Sequence, residues 1–537
     1  SGSISGTGTL TKTGAGSLNL TGTSDYTGAT TVDEGRLAVN GSIAGSVVTV
    51  NSGGTMGGNG TVGGLIVRTG ATAAPGNSIG HLHVASDLTF EVGSTYAVEV
   101  NAAGAGDRIS TTGVATIEGG TVEVLAEAGD YKPQGRYVIL TADGGVSGTF
   151  DDVTSNFAFL VPTLSYSANG VLLTLTRNDV TFAGAGTTAN QIAVGTAIDG
   201  TFVIGTPIYD ALVGSSTSEI GSGLDALSGE IHASTLSVAA DDAANLRRTL
   251  LERARSAAPS SATGGKIALW ADVGGNWNDK DGNANAAKVS ASGYRFVGGV
   301  ELSPSDSVKL GLAGGTAHQD VTVARRASTA DLDEVYGAIY AAAGFGPLTL
   351  RAGASYTDLD TKTKRAIDYR SLEESLDGKG GGSVKQVFGE AGYVLPLGAG
   401  SIEPFAGFNA LWLTGDRFRE TGGTAALKGS QRTQGYGWTS AGLRMTLGSA
   451  TAPVAVRTKV AWEHATSDVD VGSRVAFQQG GSSFIVEGAP LSRDSVNLDA
   501  AIEWRATSAF SLGAGYTGSI GSRGQEQRIR ASATVRF

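Results

Sequence analysis

The sequence contains no cysteine in 537 residues. That excludes a disulfide framework and any thiolate-based metal, redox or nucleophilic site. It also suits a chain that must cross an oxidising compartment without being locked by cross-links. Histidine occurs five times and proline eleven times. There is no run of ~18 apolar residues, so no transmembrane helix is predicted. The formal net charge of −11 argues against nucleic acid as a partner, because its binders are normally basic. Neither an initiator methionine nor a signal peptide stands before Ser1. For a secreted protein the expectation is therefore a fragment or mature piece of something longer.

Glycine is abundant, at 82 residues, about twice its usual share. Without a collagen period, that density predicts many tight turns and walls of small residues. The stretch Gln527–Phe537 alternates strictly. Ile529, Ala531, Ala533, Val535 and Phe537 are apolar, whereas Arg528, Arg530, Ser532, Thr534 and Arg536 are polar. Successive strand residues face opposite ways, so one face is greasy and the other carries three arginines. A transmembrane β-strand needs that division, with lipid outside and a polar lumen inside, over roughly 9–11 residues. Ser495–Arg505 and Ala509–Gly518 repeat it. The region from Lys266 parses into strands near 266–276, 292–302, 307–318, 334–344, 347–358, 384–396, 401–413, 434–447, 453–464, 495–505, 509–518 and 527–537. Twelve is even, as single-chain outer-membrane barrels require. Val471–Gln479 reads as an extracellular extension of the ninth strand, since an odd count would part the termini. Short turns alternate with longer polar segments at 277–291, 319–333, 359–383, 414–433 and 465–494, the asymmetry of periplasmic turns and outer loops. A large soluble β-protein, the alternative, lacks that asymmetry.

Residues 1–175 read differently. The pairs Leu18/Leu20, Leu37/Val39, Val48/Val50, Leu65/Val67 and Leu82/Val84 each mark a short strand with one apolar face. Glycine and asparagine turns at irregular intervals between them suit a stacked β-solenoid, with a sandwich as the alternative. Longer strands from Ala85 onward suit a cap on its end. Between the two regions Ile220, Leu224, Leu227 and Ile231 fall on one helical face, and the pattern runs on to Arg255. A helix of ~30 residues would be ~45 Å long. Its Asp241, Asp242, Arg247, Arg248 and Glu252 make it too polar for lipid but fit for a barrel lumen. An ordinary helix packed on a soluble sheet is the other reading. The predicted fold is all-β: an N-terminal β-solenoid (β-helix) over 1–178, a linker with a lumenal α-helix over 179–263, and a 12-stranded antiparallel transmembrane β-barrel over 264–537.

Several motifs carry a family resemblance. Gly6–Gly22, Tyr26-Thr27-Gly28 and Gly35–Gly41 resemble the passenger-associated transport repeat. Ala74-Pro75-Gly76-Asn77-Ser78-Ile79-Gly80 is similar to the segment that follows it, and Phe157–Leu160 with Leu173–Thr176 resemble the end of a folding-promoting region. Leu224-Asp225-Ala226-Leu227-Ser228-Gly229-Glu230-Ile231-His232-Ala233-Ser234 resembles the linker-helix signature, and Ile402–Gly407 and Pro490–Ser495 resemble two barrel motifs. Taken in this order, the chain resembles the monomeric type V autotransporters of Gram-negative bacteria over its whole length. The resemblance implies an outer-membrane translocator that secretes and anchors its own surface passenger. It also implies a monomer in the lipid bilayer, served by periplasmic chaperones and by an assembly machinery that reads a terminal strand with Ala533, Val535 and Phe537.

For the lumen, the expected inward residues are Asp499, Glu503, Arg528, Arg530 and Arg536. On the pore helix the expected residues are Asp241, Asp242, Asn245, Arg247, Arg248 and Glu252, with its arginines paired to inward acids such as Asp499 and Glu503. Catalytic signals are sparse. Neither Gly-Asp-Ser-Leu nor Gly-Asp-Ser-Gly occurs, nor a Gly-x-Ser-x-Gly elbow placed between a strand and a helix. His81 and His83 share one strand face and could ligate a metal with one more partner, although exposed solenoid histidines are the commoner case. The expectation is no enzyme, no metal and no cofactor, with a non-catalytic stem in the manner of an adhesin and an unassigned surface ligand. The alternatives are a hydrolase whose catalytic part lies upstream of Ser1, or a porin-like channel. Some members of the family release the passenger by cyclisation of an Asn-Asn helix residue. Here Ala244-Asn245-Leu246 lacks the pair, so an uncut chain or external cleavage is expected.

Overall fold

A computed structural model describes residues 2–127, 129–255, 266–448 and 452–537. They form two compact units. One comprises Ser1–Ala185, Phe202–Gly223 and Tyr369–Leu372; the other comprises Gly186–Thr201, Leu224–Asp368 and Glu373–Phe537. Residues 179–263, expected as one linker, are divided between both units, and the expected boundary at 263/264 lies outside the described residues.

The first unit is a parallel solenoid. Successive strands alternate between two sheets, so Ser17–Leu20, Gly35–Val39 and Gly54–Gly58 stack in one and Thr30–Val32, Ser42–Val50 and Thr61–Val67 in the other. Parallel stacking rules out the sandwich, whose sheets are antiparallel. Each rung stacks its apolar face on the next: Val32 pairs with Val50, Val50 with Val67, Val67 with Phe90 and Phe90 with Ile117. All but Ile117 are wholly buried, and Ile117 is 2% exposed. Glycine is required where rungs touch. Gly58 has φ 101°, and a Cβ there would lie 2.1 Å from the Val39 carbonyl oxygen. The parallel stack ends in an antiparallel trio, Arg136–Ala142, Gly170–Arg177 and Leu160–Ser167. That change of direction closes the core, whose last open rung would otherwise be exposed.

The second unit is a closed antiparallel barrel. Twelve strands build its wall: Ile267–Lys280, Val289–Ser305, Val308–Val323, Ser328–Phe345, Leu348–Tyr369, Leu372–Tyr393, Gly400–Gly415, Arg432–Leu447, Val454–Ala465, Asp494–Arg505, Phe510–Gly521 and Gly524–Arg536. The last pairs with the first, with Leu269 opposite Val535. Closure removes the unpaired edge that lipid cannot satisfy.

Three of the expected outer loops are strand instead. The fifth and sixth strands are 22 residues each and turn within 370–371, inside the segment 359–383 that reads as loop. The reason lies on the outward face. Leu348, Leu350 and Tyr356 are exposed and apolar, but the same face continues as Asp358, Asp360, Lys362 and Lys364. The strand leaves lipid there and keeps its ladder in water. Segments 277–291 and 319–333 shrink in the same way to 281–288 and 324–327. Gly472–Phe477 forms a hairpin with Phe484–Glu487 and pairs with Leu427–Ser430. It therefore extends the sheet from the connection before the eighth strand and does not continue the ninth.

The helical region also differs from expectation. The single ~30-residue helix is two, Ile220–Leu227 and Ile231–Arg255, broken at Gly229, whose φ of 69° no helix residue adopts. Helices Ala189–Asp199 and Pro207–Val213 were not apparent in the sequence pattern.

The barrel lumen as candidate functional site

Ile231–Arg255 lies inside the barrel. One side carries small and apolar residues. Ala239 and Ala243 pack in a cluster with Val289, Val321 and Leu332, while Leu246, Leu250 and Ala254 pack in another with Val297, Ala313, Ala317 and Ala338. Several inward side chains of strands two to four are small here, among them Ala313, Ala317 and Ala338, while Tyr336 and Tyr340 of the fourth strand pack in the same cluster.

The helix is also charged, and its charges meet partners on the wall: Asp242 and Arg253 beside the apolar contacts on strands two and three, and Asp241, Arg247, Arg248, Glu252 and Arg255 around the rest of the lumen. Asp241 accepts from Asn278 at 2.9 Å and Lys280 at 2.5 Å. Asp242 pairs with Arg295 and accepts from Gln319 at 3.3 Å. The Asn245 amide donates to Glu526, and its oxygen accepts from Arg248 at 3.1 Å. Arg247 donates to both oxygens of Glu463 at 2.9 and 3.0 Å, and Arg248 reaches Glu526 at 3.3 Å. Arg253 forks onto Glu301 at 2.8 and 3.1 Å. Arg255 joins Glu252 at 3.1 Å and Glu403 at 3.6 Å, and Glu252 also faces Arg457 at 3.7 Å. Buried charges of this number require such pairing, because desolvating each alone costs several kcal/mol.

The helix arginines pair with inward acids, as expected, but not with the two named, Asp499 and Glu503. Asp499 takes Lys459 and the Thr517 hydroxyl, and Glu503 takes Arg457 at 2.6 Å, Arg505 at 3.5 Å and Arg536 at 3.7 Å. Both acids bind basic residues of the wall. Arg528 donates to Thr249 of the helix and to Asp272, each at 2.8 Å, and Arg530 reaches Asp272 at 3.4 Å. Phe537 is 63% exposed on the outer face. Sequence reading missed Asp272, Arg295, Glu301, Glu463 and Glu526. Strand parity contained the signal: each sits at an inward position of an alternating segment.

A second polar cluster sits where the helix begins. The Arg365 guanidinium forks onto Glu420 with both contacts at 2.8 Å, and His232 lies 2.7 Å from the same carboxylate. Phe418 stacks on the His232 ring at 3.7 Å. Glu230 binds Arg326 at 2.8 Å and the Ala287 amide at 2.7 Å. These contacts bracket the break at Gly229 and hold the helix start to the wall.

In the solenoid, His81 and His83 both contact one hydroxyl, Ser110, at 2.7 and 2.9 Å. Arg108 lies 3.3 Å from the other His81 ring nitrogen. Burial, then the Arg108 charge, holds the His81 imidazole below its ordinary range. Asp107 is buried and accepts the Gly80 and Glu99 amides at 2.7 and 2.9 Å. Burial pushes its carboxyl up to about 7 against the pull of those two bonds.

A closed, amphipathic barrel filled by a charged helix of its own chain defines an outer-membrane translocator. The family model "Autotransporter beta-domain" matches residues 269–517, and "Passenger-associated-transport-repeat" matches residues 10–39. The chain belongs to the monomeric autotransporters, and it resides in the outer membrane with its passenger on the cell surface. It is 31% identical over 590 residues to an "Extracellular serine protease" of Serratia marcescens, covering 99% of this chain and 56% of that protein. A second protein of that description and organism is 29% identical with the same coverage. The chain thus spans 56% of the length of these relatives. An 80-residue stretch is 44% identical to "Adhesin BmaC autotransporter" of Brucella suis, covering 14% of this chain and 2% of that one. Among solved structures, the translocator domain of autotransporter NalP from Neisseria meningitidis is 14% identical, with a TM-score of 0.44, covering 56% of this chain and 99% of that one. The serine-protease relatives overturn the expectation that no enzyme is involved.

Proposed function

We propose that this chain exports and anchors an extracellular serine protease, with the hydrolytic chemistry in a stretch that the relatives have and this chain does not match. One observation carries the reading: near-complete coverage of this chain by two proteins so named, of which it accounts for 56%. The solenoid geometry supports it. His81 and His83 share a single hydroxyl, and a guanidinium stands where a relay carboxylate would orient the imidazole. The test is a chimera that places the unmatched portion of the Serratia protein before Ser1. Intact cells carrying it should hydrolyse casein at their surface, and a fluorophosphonate probe should label the fused portion and leave this chain unlabelled. Labelling of this chain itself, or a folded barrel with no surface activity, would refute the reading.

We also propose that the assembly machinery and periplasmic chaperones receive the chain through the closing strand, with Ala533, Val535 and Phe537 presented outward. The inward set is Asp499, Glu503, Arg528, Arg530 and Arg536, and it serves the plugged state by balancing lumenal charge. Asn245 serves the same network through Arg248 and Glu526, and the passenger is released by an external protease or not at all. Mass spectrometry of purified outer membranes should recover a peptide spanning Asn245 and Leu246.

A further inference from the structure

We propose that the plugged barrel keeps a hydrated path for small anions along the polar side of its helix. The helix is not central. Its apolar side packs against strands two to four, whereas three cavities lie along the side that carries Asp241, Arg247, Arg248 and Glu252. Their volumes are about 70, 40 and 40 Å³. Each exceeds the ~10–15 Å³ that one water requires. They lie in series. The first runs from Asp241 to Arg248 and shares Arg247, Arg248 and Glu463 with the second, which shares Glu252 and Arg530 with the third.

Two further features mark the path as wet and positive. The side-chain oxygen of Asn409, in the lining of the first cavity, is buried with no protein partner among the described residues. Buried polar atoms in that state take water. Ten Lys/Arg side chains line the three cavities against eight Asp/Glu, although the whole chain carries −11. A narrow lumen with excess positive charge concentrates anions and repels cations. Glu463 stands at the junction of the first two cavities, where its carboxylate bridges Arg247 and Arg248.

The experiment is planar-bilayer recording of the full chain in a chloride gradient. A small current with its reversal potential on the chloride side is expected, together with at least a threefold fall when gluconate replaces chloride. Glu463→Gln frees the Arg247 guanidinium, takes one of two carboxylates from Arg248, and should raise the chloride current at least twofold. No current, or a reversal potential on the cation side, would overturn the proposal. So would equal passage of chloride and gluconate, which would mean that the helix had left the lumen. If Glu463→Gln lacks the heat-modifiable folded band, the reversal potential of the unaltered protein decides alone. In a folded variant, an unchanged current would also overturn it.

Discussion

Asp272 holds two arginines of the closing strand, at 2.8 Å from Arg528 and 3.4 Å from Arg530. Removing one partner of a buried pair is costlier than the pair is stabilising, because a charge is left without water. Asp272→Asn should therefore destabilise the barrel by about 3–5 kcal/mol, read as a lower temperature at which the folded band is lost. On the outer face, Val535→Arg places a charge in lipid at a cost of about 2–4 kcal/mol near the midplane. Phe537→Ser removes an apolar contact of ~2 kcal/mol. Both should lower the folded fraction in outer membranes, whereas Thr534→Ser on the lumenal side should be mild by comparison. Equal assembly of all three would defeat the assignment of faces. In the solenoid, the carboxyl of Asp107 lies at about 7, above its unfolded value. The native state then binds the proton that the unfolded chain has lost, so this group's contribution falls as pH rises from about 4 to 7, by up to about 1.4 kcal/mol per unit. Amide exchange of Gly80 and Glu99 should be slower at pH 5 than at pH 7.5 after correction for intrinsic rates. Asp107→Asn should abolish the difference.

At the scale of the element, the lumenal helix joins two opposite demands. Its alanines and leucines need an apolar wall, and its arginines and acids need charged partners on the wall around it. Deleting 235–255 removes both, and the emptied lumen should conduct at least several-fold more in planar bilayers. An unchanged conductance would mean that the helix does not fill the pore in the membrane. The helix was legible because its apolar residues recur at the helical period. The break at Gly229 was not, since Ser228-Gly229-Glu230 interrupts that period by too little to notice. Ala189–Asp199 escaped for a different reason. Its Ile192 is exposed while Asn190 and Gln191 are buried, so no apolar stripe exists to find. Its cap was readable nonetheless, as Thr188 accepts the Gln191 amide at 3.3 Å in a Thr-x-x-Gln pattern. Pro207 after Thr206 was a similar sign for the next helix.

For the whole molecule, protease added to intact cells should cut within 1–175 and within 414–433 and spare the spanning strands. Protection of both segments would reverse the assigned orientation. Twelve strands were visible because lipid imposes one rule on every crossing: apolar outward, at a period of two. Where lipid ends, the rule lapses. Asp358, Asp360, Lys362 and Lys364 face outward on an uninterrupted strand, and composition alone marks that stretch as loop.

The sequence by itself determined the strand count and the outward face of each crossing, and it marked the paired apolar residues of the first unit without deciding whether they stack as a solenoid or face each other in a sandwich. Those features follow from local periodicity and from the solvent each face must meet. Only the tertiary structure decided which charges pair. Arg528 finds Asp272, and Arg247 finds Glu463, across 256 and 216 residues of chain. Closure of the barrel and the seat of the helix bring those positions together, and alternation records only that a residue points inward, never what it meets there.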